Sequence, residues 1–545
     1  MTPPNTAAIA RTAAPDGTVA VLPTRYNAAE DLLSRNLEAG RGDKVAYVDD
    51  ATSLTYAALD ARARRFGGAL RDAGFRQEER LLLCALDTVD FPTVFLGCLL
   101  AGVVPVAVNT LLTADDYAYM LAHSGARAVV VSTPLLPVMQ AAIDKSGLSP
   151  MVIQAAPHGD AAPACSVGAM LARTRSPAPV ARTGPDDMAF WLYSSGSTGR
   201  PKGTVHTHGN LFYTADLYAR QVLGIREDDV VFSAAKLFFA YGLGNALTFP
   251  MSVGATTVLM AERPTPTAVS RRLREQRPTV FFGVPTLFAG MLAASDLPVR
   301  SDVALRVCTS AGEALPRDIG ERFLAHFGCD ILDGIGSTEM LHIFLSNRPG
   351  EVRYGTTGMA VPGYELKLLD ERGEPCAPGE IGDLYIKGPS AALMYWCNRD
   401  KTRDTFVGEW TRSGDKYLRD ADGYYTYAGR SDDMLKVGGI YVSPFEVEAA
   451  LALHPAVLEA AVIGVADADE LVKPKAFVVL RPGQQWQDGM AAELQAFIKA
   501  RLAPYKYPRQ IECVPELPKT ATGKIQRFRL RQREEAARQS QTTPS

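Results

Sequence analysis

The sequence predicts an α/β protein: a large N-terminal domain with two αβαβα sheet layers plus a small β-barrel, followed by a small α+β C-terminal domain. Three observations predict it. Short apolar runs alternate with helical periodicities from Asn27 to Val131 and again beyond Val230, the mark of doubly wound parallel sheets. From Gly358 to Gly388 the texture changes to short alternating runs with turn signals, which suits an antiparallel barrel. Beyond the polar cluster at Gly429–Asp433 the chain carries its own helix start, strands and amphipathic helix, enough for a separate unit.

In chain order, Asn27-Ala28-Ala29-Glu30 reads as a capped helix start, and Lys44 to Val48 as a strand. Leu59, Ala63, Phe66 and Leu70 recur at helical spacing between Thr55 and Phe75. Strand-like Leu81–Cys84, a helix around Phe91 to Leu100, Val103 to Val108, a helix from Ala114 and Ala128 to Val131 continue the alternation. The region 140–185, rich in Ala and Pro, is the least periodic and is expected to cross from one sheet to the next. The rhythm resumes with Val230–Ser233, Thr256–Met260, Thr279–Phe282, Leu305–Thr309 and Asp330–Gly334. Ser443-Pro444-Phe445-Glu446 is a capping box with proline at the first helical position. Strands at Ala460–Val465 and Lys475–Leu480 and a helix with Leu494, Phe497, Ile498 and Leu502 follow. The expected division is a polar tail at 1–25, a large domain at 26–431 with its barrel near 358–428, a small domain at 432–530, and a disordered polar tail at 531–545.

Composition narrows the classes. A chain of 545 residues exceeds one core, since domains run to roughly 100–200 residues. Apolar content of 47%, charged content of 21% and a net charge of -3 are ordinary for a globular protein and offer no basic field for nucleic acid. The longest apolar run, Val94 to Val108, carries Gly97, Gly102 and Pro105 and is too short to span a membrane. The N-terminus lacks a basic stretch followed by an apolar core, so it is not read as a signal peptide. Eight scattered cysteines without a C-x-x-C pair read as thiols in a reducing cytoplasm. No H-E-x-x-H occurs, and a structural metal is not expected.

The chemistry concentrates in Tyr193-Ser194-Ser195-Gly196-Ser197-Thr198-Gly199-Arg200-Pro201-Lys202-Gly203. Small hydroxyl residues and glycines offer hydroxyl and backbone N–H donors with little bulk, which favours phosphate, and Lys202 adds a mobile charge. The plainer reading is a flexible Gly/Ser linker, but the loop follows apolar Met188–Leu192 and contains Arg-Pro-Lys. It is not a Walker P-loop, because Pro201 stands where that spacing needs glycine. Gly523-Lys524 is followed by Ile525 and has Pro518 at the first glycine position, and Gly242-Leu243-Gly244 runs on to Leu247. Kinase-type and dinucleotide-type sites are thereby disfavoured.

Three more loops place small residues after strand-like runs: Ser310-Ala311-Gly312-Glu313, Asp333-Gly334-Ile335-Gly336-Ser337-Thr338-Glu339, and Ser413-Gly414-Asp415. Each alone is an ordinary turn. Converging at a sheet edge, they would offer a flat glycine surface for a base, Thr338 for a phosphate oxygen, Glu339 for Mg2+ and Asp415 for ribose hydroxyls.

These loops, with Gly429-Arg430-Ser431-Asp432-Asp433-Met434-Leu435-Lys436 and Pro518-Lys519-Thr520-Ala521-Thr522-Gly523-Lys524, resemble the ordered motifs of adenylate-forming enzymes: acyl- and aryl-CoA synthetases, peptide-synthetase adenylation domains and luciferase. The resemblance covers nearly the whole chain. It implies two steps, in which a carboxylate and ATP give an acyl-AMP and pyrophosphate, and a thiol then takes the acyl group. It implies that Ser194, Ser195, Gly196, Ser197, Thr198, Gly199 and Lys202 hold the β- and γ-phosphates, and that Thr338 contacts phosphate while Glu339 binds Mg2+. By the same resemblance Gly312, Glu313, Asp333 and Lys436 belong to the nucleotide site, Asp415 and Arg430 hold the ribose, and Lys524 reaches the α-phosphate and the attacking carboxylate oxygen. Asp432 matches the family's hinge, whose swing makes the C-terminal domain mobile, withdraws Lys524 and brings Gly438 and Gly439 to the coenzyme A tunnel. Ile335 stands where the family often has an aromatic residue to stack on adenine. Homodimers are common among similar enzymes.

The acid pocket is expected from Phe239, Ala240, Tyr241, Gly312, Ile335, Gly336, His342 and Ile343. Bulky aromatics at its wall would shorten it and suit a flat ring. His342 reads equally as a cap on the ring's far edge or as a satisfied core histidine. The stretches Lys236–Gly244 and Met340–Phe344 resemble those of benzoate- and hydroxybenzoate-CoA ligases, which implies benzoate as the acid. Other small acids (hydroxybenzoate, halobenzoate, a short aliphatic acid), a luciferase-like monooxygenase and a domain that loads a carrier protein are the alternatives.

Overall fold

The structure, a computed structural model, describes residues 19–155, 165–174, 177, 179–194, 200–431, 433–437, 440–466, 472–503, 506–519 and 525–542. The chain divides into two compact units, Met1–Leu366 with Ile386–Arg412, and Lys367–Tyr385 with Ser413–Ser545.

The first unit holds two sheets. One runs Met394–Tyr395, Lys202–Thr207, Met188–Ser194, Val104–Ala107, Arg80–Cys84, Ala128–Ser132, Met151–Ala155. The last five of these pair in parallel, and the Met188–Ser194, Lys202–Thr207 and Met394–Tyr395 strands add an antiparallel edge. The other has nine strands, with Val45–Val48, Thr256–Val258, Val230–Ser233, Val280–Gly283, Val307–Ser310 and Ile331–Gly336 parallel, and with antiparallel strands at both edges. Every residue of Ala128–Ser132 is buried, which explains why the central strands read as continuous apolar runs: parallel strands are covered on both faces.

Helix Asp90–Ala101 is buried along its whole length, as an all-round apolar helix must be. It meets helix Tyr56–Asp72 through two glycines: a Cβ on Gly97 would lie 2.7 Å from the Ala63 carbonyl oxygen, and one on Gly67 2.9 Å from that of Gly97. The predicted cap at Asn27 forms, its side chain accepting from the Ala29 and Glu30 amides, and Thr55 caps the next helix by accepting from Ala58 N.

The region 140–185 does not cross between sheets. It contributes the edge strand Met151–Ala155 of the first sheet, and the chain returns to that sheet at Met188. Sheet changes fall instead after Thr55 and after Thr207. A lone apolar run with one buried strand neighbour carries too little pattern to reveal an edge strand.

The change of texture near residue 358 corresponds to a five-stranded sheet of Glu365–Leu369, Ile381–Lys387, Trp410–Arg419 and Phe406–Val407, with Tyr425–Arg430 antiparallel to Trp410–Arg419. The division between the two units falls inside three of these strands.

In the second unit, Val457–Ala466, Val472–Leu480 and Gln510–Cys513 form a sheet packed against helices Pro444–Ala452 and Met490–Lys499 through Val447, Leu451, Leu494 and Ile498. The capping box is half formed: Ser443 accepts from the Glu446 amide, while the Glu446 carboxylate turns to Lys506 Nζ at 2.6 Å. The segment after Leu530 is not a disordered tail through residue 542. Helix Arg527–Thr542 covers it, since Leu530 is buried and Arg531 and Glu534 find ion-pair partners in Asp433 and Lys475.

No helix among the described residues is long and apolar enough to cross a membrane. Cys84, Cys98, Cys308 and Cys329 are buried, and Cys397 is exposed.

Candidate active site

The loop 193–203, expected to cradle phosphate, connects the two strands of a β-hairpin. Ser194 pairs with Lys202 and Tyr193 with Gly203, on strands whose Phe190, Trp191 and Leu192 are fully buried. A rigid antiparallel ladder therefore holds both ends of the loop. Ser195, Gly196, Ser197, Thr198 and Gly199 lie outside the described residues.

Glu339 meets this hairpin. Its Oε1 accepts from Tyr395 OH at 2.6 Å and from Ser194 Oγ at 3.4 Å, and lies 3.8 Å from Lys202 Nζ. Lys202 Nζ in turn donates to Tyr395 OH at 3.1 Å and sits 4.2 Å from the centre of that ring. The turn carrying Thr338 and Glu339 is pinned on several sides. Ala392 N donates to the Glu339 carbonyl at 2.8 Å, Ser390 Oγ to that of Met340 at 2.8 Å, and His206 Nε2 to that of Thr338 at 2.8 Å. Asn210 Nδ2 donates to His206 Nδ1 at 2.8 Å, so the ring is neutral, and burial lowers its pKa from 6.5 to about 4. Leu341, at φ 65, occupies the left-handed region that a non-glycine residue adopts only under constraint. Sequence reasoning missed Tyr395 and His206, because a buried tyrosine and a buried histidine carry no local mark of a polar role.

Asp333 lies opposite Ser310 where the parallel pairing of strand Ile331–Gly336 ends, the side on which open α/β sheets hold ligands. The residue is 5% exposed, and its Oδ1 has no hydrogen-bond partner among the described residues. Burial raises its pKa well above the usual carboxylate range, against the opposing backbone donors of Leu315 and Gly334. Gly312 has φ 94 and is exposed, and Glu313 is half-buried beside it. Ile335 and Gly336 are half-buried on the strand that pairs with Ile343–Ser346.

Tyr241, His342 and Ile343 converge nearby, with Phe239 and Ala240 leading into the short helix that carries Tyr241. The Tyr241 hydroxyl is hydrogen-bonded to Thr309 Oγ1. His342 Nε2 is 3.1 Å from both the Tyr241 carbonyl and Asn245 Oδ1. Both are acceptors, so Nε2 carries the proton and Nδ1 is a bare acceptor, with no partner among the described residues. Burial drives this pKa from 6.5 to about 3, with the Tyr241 carbonyl opposing. The ring centre lies 4.4 Å from that of Phe249 and 5.5 Å from those of Tyr218 and Tyr241. A Cβ on Gly244 would come within 2.3 Å of it. His342 is thus a packed aromatic ring with one unsatisfied edge, rather than a satisfied core histidine.

A third residue that the sequence did not reveal is Asp87, 3% exposed. It accepts from Leu237 N at 3.3 Å and lies 4.0 Å from Lys236 Nζ, tying the Lys236–Gly244 stretch to the neighbouring sheet. Burial lifts its pKa from 3.8 to about 6, against the lowering effect of Lys236.

In the second unit, Asp415 and Arg430 face each other across antiparallel strands. Arg430 Nη1 is 3.1 Å from Asp415 Oδ1, and Ser413 Oγ accepts from Asp415 N at 3.0 Å. Asp432, Gly438, Gly439 and Lys524 lie outside the described residues; Lys436 lies on the strand Leu435–Val437. The ends of the segment bearing Lys524 are tied, with Lys519 bridged to Ile525 and Gln526 N donating to the Pro518 carbonyl at 2.7 Å. Arg527 follows at once, its Nη2 2.6 Å from Glu448 Oε2 and its Nη1 3.4 Å from Asp433, which also accepts from Arg531 at 2.8 Å.

Comparison with known proteins gives the same outline. The AMP-binding enzyme family matches residues 34–396, and the AMP-binding enzyme C-terminal domain matches residues 446–524. A benzoate–CoA ligase of Thauera aromatica is 61% identical over 512 residues, 94% of this chain and 96% of that protein. A 4-hydroxybenzoate–CoA/benzoate–CoA ligase of Rhodopseudomonas palustris is 50% identical over 93% of this chain and 94% of its own. The solved structure of a benzoate CoA ligase from Burkholderia xenovorans LB400 superposes with a TM-score of 0.86 at 61% identity, covering 93% of this chain and all of that one. That of an anthranilate CoA ligase with anthranoyl-AMP superposes with a TM-score of 0.88 at 42% identity, covering 95% and 98%.

Proposed function

The chain belongs to the AMP-binding enzyme family, and from that premise we propose that it joins benzoate to coenzyme A at the expense of ATP. The observation that carries this reading is the convergence of Ser194, Lys202 and Glu339 at the ends of a loop of small hydroxyl residues and glycines.

In the first step a carboxylate oxygen of benzoate attacks the α-phosphorus of ATP, the bond to the β-phosphate oxygen breaks, and benzoyl-AMP and pyrophosphate result. Two anions must meet, so cations govern the barrier. Lys202 neutralises the departing pyrophosphate, and Lys524 attends to the α-phosphate and the attacking oxygen. A charge aimed in this way at a transition state contributes roughly 10²–10³ in rate. In the second step the thiolate of coenzyme A attacks the benzoyl carbonyl and AMP leaves. Asp432 is the hinge that exchanges Lys524 for Gly438 and Gly439 between the steps, dividing a domain at 26–431 from one at 432–530.

Thr338 and the loop 194–199 hold phosphate. Asp415 and Arg430 hold the ribose, and Gly312, Glu313, Asp333 and Lys436 complete the nucleotide site. Glu339 would hold Mg2+: a single carboxylate beside a hydroxyl and an ammonium suits an ion that takes most of its ligands from phosphate and water. When bound, Mg2+ would supply positive charge against the phosphates and so make pyrophosphate a better leaving group. The half-buried Phe239, Ala240 and Tyr241, with packed His342 and Ile343, form a short aromatic wall that fits a flat ring. We place the reaction in the cytoplasm.

Carboxylate-dependent exchange of labelled pyrophosphate into ATP, run over benzoate, hydroxybenzoates, halobenzoates and short aliphatic acids, tests the reading. Benzoate should lead. Another acid in the lead would displace the substrate, and exchange with none would remove the reaction.

A further inference from the structure

Tyr395 lies outside every motif that marks the nucleotide site, yet it makes the shortest contact to the carboxylate at its centre. The residue is 2% exposed, and its position is set by the fold. Tyr395 pairs with Thr204 across the antiparallel edge of the first sheet, its amide donates to Thr402 Oγ1 at 3.0 Å, the next amide, Trp396 N, donates to the Gly203 carbonyl at 2.8 Å, and its ring packs against Phe406 at 5.5 Å between centres.

On this rigid base the hydroxyl stands between two charges. It donates to Glu339 Oε1 at 2.6 Å and accepts from Lys202 Nζ at 3.1 Å, whereas Lys202 and Glu339 are 3.8 Å apart. That separation exceeds a hydrogen bond, so within this ion pair the tyrosine hydroxyl makes the hydrogen-bonded link between the two charges. A short O–H···O⁻ bond is of the strong, charge-assisted kind. With Oε1 engaged and no described group donating to Oε2, the carboxylate is held in one orientation with its second oxygen uncommitted.

We propose that Tyr395 is a positioning residue that fixes the Glu339 carboxylate for the divalent cation of the bound nucleotide and holds Lys202 at the phosphate loop until that nucleotide arrives. The proposal rests on the reading of Glu339 as the cation ligand. Partners that orient a metal-binding carboxylate typically contribute 10- to 100-fold to metal affinity.

The test uses Tyr395→Phe in the full-length enzyme, which keeps the ring, its packing on Phe406 and the face toward Lys202. Mn2+ binding is followed by electron paramagnetic resonance in the presence of α,β-methylene-ATP, which cannot transfer its adenylyl group. Binding of a benzoyl-sulfamoyl adenosine, which has no polyphosphate, is measured alongside by calorimetry. The expected result is a Mn2+ affinity about tenfold or more weaker in the variant, with unchanged affinity for the sulfamoyl compound. Equal Mn2+ affinity in wild type and variant overturns the role of Tyr395 and leaves the reading of Glu339 standing. Equal weakening of both ligands reduces Tyr395 to a packing residue and likewise overturns it. Failure of the wild type itself to bind Mn2+ with the nucleotide analogue removes the reading of Glu339, and the proposal with it.

Discussion

Tyr395 and Tyr241 are both tyrosines of the first unit, but their hydroxyls have different consequences. That of Tyr395 joins two charges, while that of Tyr241 is hydrogen-bonded to Thr309 Oγ1 and keeps its ring against His342 and Phe282. Tyr241→Ala removes a ring from the wall of the proposed acid pocket. Its expected outcome is a shift of relative kcat/KM toward naphthoates and para-substituted benzoates, with benzoate itself reduced by roughly 10–200-fold, the range of lost apolar pocket contacts. An unchanged profile of acids would place the pocket elsewhere. His206 carries a prediction about pH. Its folded pKa near 4 lies below the ordinary 6.5, so between those values the unfolded chain takes up a proton that the native ring does not. Stability should therefore be level in this term above pH 6.5 and fall as pH drops toward 4, by on the order of 3 kcal/mol in total. Thermal unfolding from pH 7.5 to 4.5 should show a shallower acid loss in His206→Asn than in the wild type. His208 and His342 shift in the same direction and supply the remaining slope.

At the scale of elements, the hairpin and the turn are what bring Lys202 and Glu339 together, a convergence that the sequence leads us to expect without showing which side chains touch. The loop 193–203 was legible because small hydroxyl residues, glycine and one lysine follow an apolar strand. The strands, helix caps and the change of texture near residue 358 were legible for similar local reasons of periodicity and turn chemistry. Asp87, His206 and Tyr395 were not, because what distinguishes them is burial beside a partner far along the chain: 150 residues separate Asp87 from Leu237, and 56 separate Tyr395 from Glu339. The edge strand Met151–Ala155 and the helix Arg527–Thr542 were missed because packing on neighbours, rather than their own pattern, stabilises them. In the second unit, Arg527 links the segment after Lys524 to Glu448 and to Asp433. The proposed role of Lys524 in only one half-reaction predicts that Lys524→Ala abolishes benzoate-dependent pyrophosphate exchange and largely spares benzoyl-CoA formation from supplied benzoyl-AMP. Stopped assays of the two half-reactions measure this directly. Equal loss of both would contradict a lysine that withdraws between them.

For the whole molecule, the proposed chemistry turns on one step: the acid is activated by direct attachment to AMP. In the first unit, strands Val307–Ser310 and Ile331–Gly336 of the nine-stranded sheet carry Ser310 and Asp333, and the hairpin of the seven-stranded sheet carries Ser194 and Lys202, so this unit holds the proposed acid pocket and the contacts to the departing phosphates. The second unit contributes Asp415, Arg430 and the segment bearing Lys524. A label on the acid follows the oxygen that forms the new bond. With benzoate carrying ¹⁸O in both carboxylate positions, attack on the α-phosphorus and later loss of AMP must transfer one labelled oxygen to the AMP phosphate and leave the other in the thioester carbonyl. Mass spectrometry of the products of a single turnover should therefore find one ¹⁸O in AMP and one in benzoyl-CoA; unlabelled AMP, with the label in inorganic phosphate or retained entirely outside the nucleotide, would contradict the account.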